Sequence, residues 1–113
     1  MTTAAPRFSL VVPIYNEEEN VQNLLAEVAE VLLPHGPFEA LLVDDGSKDR
    51  SLERMRAWKR ERAADWLRIV VLEKNCGQSA AVMAGIEQAR APVVTTMDGD
   101  MQNDPRDLPA MVA

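Results

Sequence analysis

Two carboxylates, Asp98 and Asp100, stand one residue apart across Gly99, and Gln102 follows two residues later. If a strand breaks into a turn at Gly99, both acids point into one mouth, because glycine permits backbone conformations that other residues resist. Hard oxygen donors of this kind suit Mg2+ or Mn2+, ions often shared with phosphate oxygens, and the Gln102 amide adds a neutral oxygen. The plainer alternative is a solvated Asx turn. A second acidic pair, Asp44 and Asp45, precedes Gly46 and Ser47. A carboxylate at a strand end accepts hydrogen bonds from a base N–H or from ribose hydroxyls. Gly46 turns the chain, and Ser47 or Asp49 suits the cap of the next helix. Two adjacent acids are more than a cap requires.

Two further segments carry weaker signals. Pro13, Tyr15 and Glu17 lie together, and the Tyr15 ring suits packing on a base while its neighbours meet the ribose. A capped strand-to-helix turn explains the same residues. Lys74, Asn75 and Gly77 precede a helical pattern, where backbone N–H groups and the helix dipole suit a diphosphate and Lys74 adds charge. A helix start with Gly77 for close packing accounts for them equally. Two rivals are weighed on the same residues. Asp98, Asp100, Gln102 and Asp104 imitate the first half of a calcium-binding EF-hand loop, but that loop needs Gly sixth and Glu twelfth, where this chain has Asn103 and Pro109. An aspartyl-phosphate receiver would use Asp44 and Asp45 as its acidic pair and Asp98 as phospho-acceptor. A receiver, however, puts its acidic pair after the first strand, and its later Thr and Lys are missing here.

These residues need a scaffold, and the apolar pattern supplies one. Phe8 to Ile14 is a near-continuous apolar run, as in a strand buried on both faces. Asn16 suits a helix cap, with Glu17, Glu18 and Glu19 at the positive end. Val21, Leu24, Leu25, Val28, Ala29 and Leu32 then recur on one helical face, and Pro34 to Pro37 stops it. Phe38 to Val43 reads as a second strand, and Asp49 to Ala64 as a polar, largely solvated helix. Leu67 to Leu72 reads as a third strand and Gly77 to Arg90 as a third helix, apolar through Ala80, Ala81, Val82, Ala84 and Ile86. Pro92 to Met97 reads as a fourth strand, with Pro105 opening a fourth helix. The alternation predicts an α/β fold, a Rossmann-like parallel sheet with flanking helices. Ligands bind such sheets beyond the carboxyl ends of the strands, where all the unusual polar residues fall. The expected organisation is a flexible tail over residues 1–7 and one domain over 8–113, incomplete at its C-terminal end. An uncovered sheet edge would leave room for self-association.

Composition excludes several classes. The chain has 113 residues, 47% apolar and 4% aromatic, with net charge −6. It is long enough for one aliphatic core, and its acidity argues against a nucleic-acid binder. The single cysteine, Cys76, rules out an intrachain disulfide and a cysteine zinc site. No apolar stretch has the length of a membrane span, and no signal-peptide core follows Met1, so a cytoplasmic chain is expected. His35 is expected exposed, Cys76 a small packing residue, Trp58 and Trp66 local packing, and Arg54, Arg56, Lys59, Arg60 and Arg62 a solvated face.

The motifs together, Val12 to Glu18, Val43 to Ser47, Asn75 to Gly77 with Ala81 to Gly85, and Asp98 to Gln102, resemble family 2 glycosyltransferases of the GT-A fold from about residue 8 to residue 109. The ending Asp98, Asp100, Gln102, Pro105 is most similar to the polyprenyl-phosphate glycosyltransferases. The resemblance implies that Pro13, Tyr15 and Glu17 line the nucleoside pocket and that Asp45, together with Asp44, binds base or ribose. It also implies that Asp98, Asp100 and Gln102 hold Mg2+ or Mn2+ on the diphosphate of a UDP- or GDP-sugar donor. Gly99 stands where the family usually has Ala. The acceptor half and any catalytic base lie beyond residue 113 in such enzymes, and the acceptor implied is a polyprenyl phosphate at the inner face of the membrane.

Overall fold

The computed structural model describes residues 5–97. Four strands, β1 (Phe8–Ile14), β2 (Phe38–Asp45), β3 (Leu67–Leu72) and β4 (Val93–Thr96), form one sheet in the order β3-β2-β1-β4. Every pairing is parallel. Helices α1 (Val21–Leu32), α2 (Ser51–Arg62) and α3 (Gln78–Gln88) connect the strands, with a 3₁₀ turn over Leu33–His35. The expected fourth helix, and with it Asp98, Asp100 and Gln102, lies outside the described residues.

Period-two alternation along β1 and β2 explains the layering. Leu10, Val12 and Ile14 of β1 and Ala40 and Leu42 of β2 face α1 and α2, meeting Val21, Leu24, Leu25, Val28, Leu32, Met55 and Trp58. Val11, Leu41 and Val43 face the other way and meet Ala81 of α3. Both faces of the central strands are therefore dry, and every residue of β1 except Pro13 is buried. Gly85 lets α3 close on this second face: a Cβ there would collide with the Val11 side chain and crowd Val43. The strand order reverses beside β1. The chain moves outward through β2 and β3, then returns across α3 to β4 on the far side of β1.

Several boundaries differ from the sequence reading, each for a local reason. Helix α1 starts at Val21, not just after Asn16, because Asn16 adopts a left-handed φ of 53° and a turn intervenes. In that turn the Glu17 carbonyl accepts hydrogen bonds from the Asn20 and Val21 N–H groups. The three glutamates therefore precede the helix instead of filling its first turn. Strand β2 runs two residues further than expected, so Asp44 and Asp45 belong to the strand itself. Helix α2 is less solvated than its charges implied, since Ser51, Met55 and Trp58 are buried. Trp58 and Trp66 join Phe38 and Phe8 in a continuous aromatic row. On α3 only Ala81 and Gly85 are buried, while Ala80 and Ile86 are exposed. Cys76 is exposed rather than packed, and His35 is exposed as expected.

One buried polar cluster ties the amino ends of the strands together. The Glu39 carboxylate accepts from the Ser9 hydroxyl at 2.6 Å, the Arg90 N–H at 2.6 Å and the Arg68 guanidinium at 2.9 Å. Arg68 also donates to the Gln88 carbonyl at 2.7 Å, and the Ala91 N–H donates to the Ser9 hydroxyl at 3.2 Å. The chain leaving α3 is thereby anchored under the sheet before it enters β4. Burial pushes the Glu39 carboxyl up, but the bonds from Ser9, Arg90 and Arg68 outweigh it and hold the group below its ordinary value. A carboxylate with a depressed folded pKa stabilises the fold above its unfolded pKa of about 4.3 and loses that contribution as pH falls through the lower folded value. Glu39→Gln should therefore cost about 2 kcal/mol at pH 7, since it weakens a buried charged network. Urea unfolding at pH 7 and pH 3 checks this: the gap between variant and wild type should narrow at the acid end.

Candidate functional site

The carboxyl ends of β2, β1 and β4 form a mouth on the side of the switch in strand order. The last rung of the β1–β2 ladder pairs Ile14 with Asp44, and the rung before it pairs Pro13 with Val43. Tyr15 follows directly and is 42% exposed. Pro13 and Glu17 are half-buried, and the Glu17 carboxylate accepts from the Asn20 side-chain amide at 3.1 Å. The ladder thus ends with Pro13 beside Val43 and Ile14 beside Asp44, and Tyr15 follows one residue past the last rung.

The two adjacent aspartates do different work, because successive strand residues face opposite ways. Asp45 is 2% exposed and is filled by its own chain. One carboxylate oxygen accepts from the Cys76 N–H at 2.8 Å, and the other from the Gly77 N–H and the Asn75 amide, both at 3.0 Å. Asn75 also donates to the Asp45 carbonyl at 3.2 Å. The carboxylate occupies the start of α3, where the helix dipole favours negative charge. Gly46 makes the arrangement possible. With φ of +70° it turns the chain, and the backbone of Lys74 and Asn75 lies so close that a Cβ would strike it. The N–H groups of Cys76 and Gly77, which the sequence reading offered to a diphosphate, are therefore directed at Asp45. Lys74 is exposed beside them.

Asp44 is equally buried, at 2%, yet its Oδ1 meets no donor among the described residues. A buried polar oxygen without a partner carries a desolvation cost of about 1–3 kcal/mol. Natural structures rarely retain such an atom unless something else completes it.

The two turns above the mouth are stitched to each other. The Asn16 N–H donates to the Ser47 hydroxyl at 2.9 Å, and the Lys48 N–H donates to the Asn16 side-chain oxygen at 2.9 Å. The Glu17 N–H donates to the Ser51 hydroxyl at 2.7 Å, and the Glu18 N–H to the Asp49 carboxylate at 3.2 Å. Arg54 donates to the Glu18 carbonyl and lies 3.8 Å from its carboxylate. Ser47 therefore binds the first turn instead of capping α2. Asp49 takes the Ser51 N–H at 2.9 Å and hydroxyl at 2.6 Å, close to the capping role expected. Burial pushes the Asp49 carboxyl up, but its bonds from Ser51 and Glu18 outweigh this and hold it below the ordinary value. Asn16, Ser47 and Asp49 were read from sequence as local caps. Their cap-forming types were visible, but the opposite turn that most of them bind was not.

The fourth strand leads the described chain to Met97. The Met97 N–H donates to the Val11 carbonyl at 3.1 Å, continuing the β1–β4 pairing, and Asp98 is the next residue in the chain. Asp98, Asp100 and Gln102 themselves lie outside the described residues. Among the described residues no group of three acids, histidines or cysteines is placed to hold a metal.

Comparison with known proteins gives one answer. The profile of glycosyl transferase family 2 matches residues 9–113. A dodecaprenyl-phosphate galacturonate synthase from Rhizobium johnstonii is 52% identical over 108 residues, 93% of this chain and 31% of that protein. An undecaprenyl-phosphate 4-deoxy-4-formamido-L-arabinose transferase from Pseudomonas aeruginosa is 45% identical over 105 residues, 92% of this chain and 31% of that protein. A mannosyltransferase from Pyrobaculum calidifontis, solved with GDP-Man and Mn2+, superposes with a TM-score of 0.82 at 27% identity, over 96% of this chain and 31% of that one. S. aureus TarS in complex with UDP superposes with a TM-score of 0.77 at 29% identity, over 93% of this chain and 30% of that one. The chain thus spans about a third of the length of each.

The division between the two aspartates predicts opposite stabilities. Asp45→Ala removes a charged partner from three donors and should cost about 3 kcal/mol. Asp44→Ala removes an orphaned buried oxygen and should cost less than about 1 kcal/mol. Urea unfolding of both variants reads the difference.

Proposed function

This chain belongs to glycosyltransferase family 2, and we propose that it forms the donor-binding half of an enzyme that moves a sugar from a nucleoside-diphosphate sugar to a polyprenyl phosphate. The observation that carries the reading is the Asp44 carboxyl, buried at the mouth with Oδ1 unpartnered. A base N–H or a ribose hydroxyl satisfies that atom. Pro13 and Tyr15, one strand away, supply an apolar and aromatic wall for the same nucleoside, with Glu17 just beyond. Asn75 and Gly77 act on the pocket through Asp45, and Lys74 offers its charge at the edge. This reading sets aside the receiver-like alternative, which would need the acidic pair on the first strand rather than on β2.

The donor diphosphate brings negative charge to an acidic chain, and five of the nearby backbone donors are already engaged. The N–H groups of Asn16, Glu17 and Glu18 bind side chains of the second turn, and those of Cys76 and Gly77 bind Asp45. The charge therefore calls for a cation. Asp98, Asp100 and Gln102, two carboxylates and an amide oxygen, have the donor chemistry of a Mg2+ or Mn2+ site. Such an ion supplies Lewis-acid stabilisation to the leaving nucleoside diphosphate. The Pyrobaculum mannosyltransferase was solved with Mn2+ and the two relatives are named for lipid-phosphate substrates, which supports both parts of the proposal.

A lipid phosphate is largely ionised at pH 7, its second pKa being about 6. It attacks the sugar's anomeric carbon opposite the diphosphate, forming one C–O bond as the other breaks, with inversion. Holding the donor in place for that attack is the contribution of the residues described here. No described helix is long and apolar enough to cross a membrane. Val71 on β3 and Val93 and Val94 on β4 are exposed at opposite edges of the sheet, two separate places open to self-association.

Calorimetric titration of UDP and of GDP, each with Mn2+ and with EDTA, tests the proposal. One nucleotide should bind, only with metal present, and Asp44→Ala should weaken it by about tenfold or more. A folded chain that binds neither nucleotide overturns the reading.

A further inference from the structure

We propose that Asn16 is a positioning residue of the donor pocket, acting through Ser47 and Lys48 to hold Tyr15 at a set distance from Asp44. The proposal rests on the reading that these two residues border the nucleoside. The regular β1–β2 ladder ends at the rung joining Ile14 to Asp44. Tyr15 lies one residue past that rung, where backbone pairing no longer fixes it. The next residue, Asn16, resumes the connection by a different route. Its N–H reaches the Ser47 hydroxyl and its side-chain oxygen receives the Lys48 N–H, both at 2.9 Å. The two bonds run in opposite directions between the same two turns, so neither turn can rotate without breaking one of them.

The backbone of Asn16 is set for this task. Among the described residues its φ of 53° is one of two positive values at non-glycine residues, the other being Ala63 at the end of α2. Asparagine tolerates that conformation better than most residues, and it brings an amide that reaches across. The bonds from Glu17 to Ser51 and from Glu18 to Asp49 continue the seam away from the mouth.

Asn16 is exposed and Ser47 half-buried. Hydrogen bonds at such positions add little to global stability because water replaces them readily. A pocket wall held in place before the ligand arrives, by contrast, saves the cost of ordering it on binding. Loss of the clasp should therefore appear in ligand affinity and in the freedom of Tyr15, with little change in unfolding. A merely structural role would give the reverse.

The chain has a single tyrosine, so 3-fluorotyrosine labelling places one fluorine resonance on this turn. Asn16→Gly keeps the positive φ accessible while deleting the side-chain bond, and Ser47→Ala deletes the opposite one. In each variant the resonance should shift toward its unfolded position or broaden, with Tm within about 3 °C of wild type. Affinity for the nucleotide that wild type binds with Mn2+ should fall about tenfold in each. The double variant should be little worse than either single one, because both remove the same clasp. An unchanged fluorine spectrum in Asn16→Gly, or an affinity within twofold of wild type, overturns the proposal. If wild type binds neither UDP nor GDP, the donor reading fails separately and the fluorine spectrum alone decides whether the clasp holds Tyr15.

Discussion

The parallel pairing of β1 with β2 is the constraint on which the other features depend. It runs unbroken from Phe8 with Phe38 to Ile14 with Asp44. Because both strands are apolar on both faces, a shift of one residue would exchange the α1–α2 face for the α3 face in every side chain. The Leu10, Val12 and Ile14 set and the Val11 set meet different helices, so burial on two sides holds the register. That register puts Tyr15 beside the end of β2 and makes Asp44 the residue at the mouth. On the other side of β1, the pairing with β4 carries the chain to Met97 and so to Asp98.

Around this ladder the chain uses its acids as internal connectors. Glu39 gathers Ser9, Arg68 and Arg90 at the amino ends of the strands. Asp45 gathers the start of α3 at the carboxyl ends, and Asp49 joins the two turns above the mouth. Each accepts several donors, which is what makes burial or partial burial of a carboxylate tolerable. Asp44 departs from this pattern. It is as buried as Asp45, yet its Oδ1 meets no donor among the described residues, whereas both oxygens of Asp45 are bonded.

The same internal use of donors shapes how an anion must be held. Parallel α/β sheets often cradle phosphates on the N–H groups that open their helices. Here the N–H groups of Asn16, Glu17 and Glu18 before α1 and of Cys76 and Gly77 before α3 are occupied by hydroxyl and carboxylate oxygens of the chain itself. The mouth has acids and an aromatic ring but few unclaimed donors. Under the proposed reading, a nucleoside would satisfy the Asp44 carboxyl and a divalent cation would offset the charge of the diphosphate.

Much of this was legible without coordinates. The double-sided apolar runs determined the parallel sheet, since a strand with no polar face must be covered twice. The helical face from Val21 to Leu32 determined what covers one side. The ordered motifs determined the family. What remained hidden was which partner each polar group takes. Asn16 and Ser47 have the composition of local caps, yet they bind each other's turns, because hydrogen-bonding type is a property of the residue and partner choice is a property of the approach between segments about 30 residues apart. The division between Asp44 and Asp45 was hidden for the same reason. Neighbours in sequence with one side-chain chemistry, they face opposite ways across a strand, and only the folded arrangement of the β3–α3 loop satisfies one and leaves the other open.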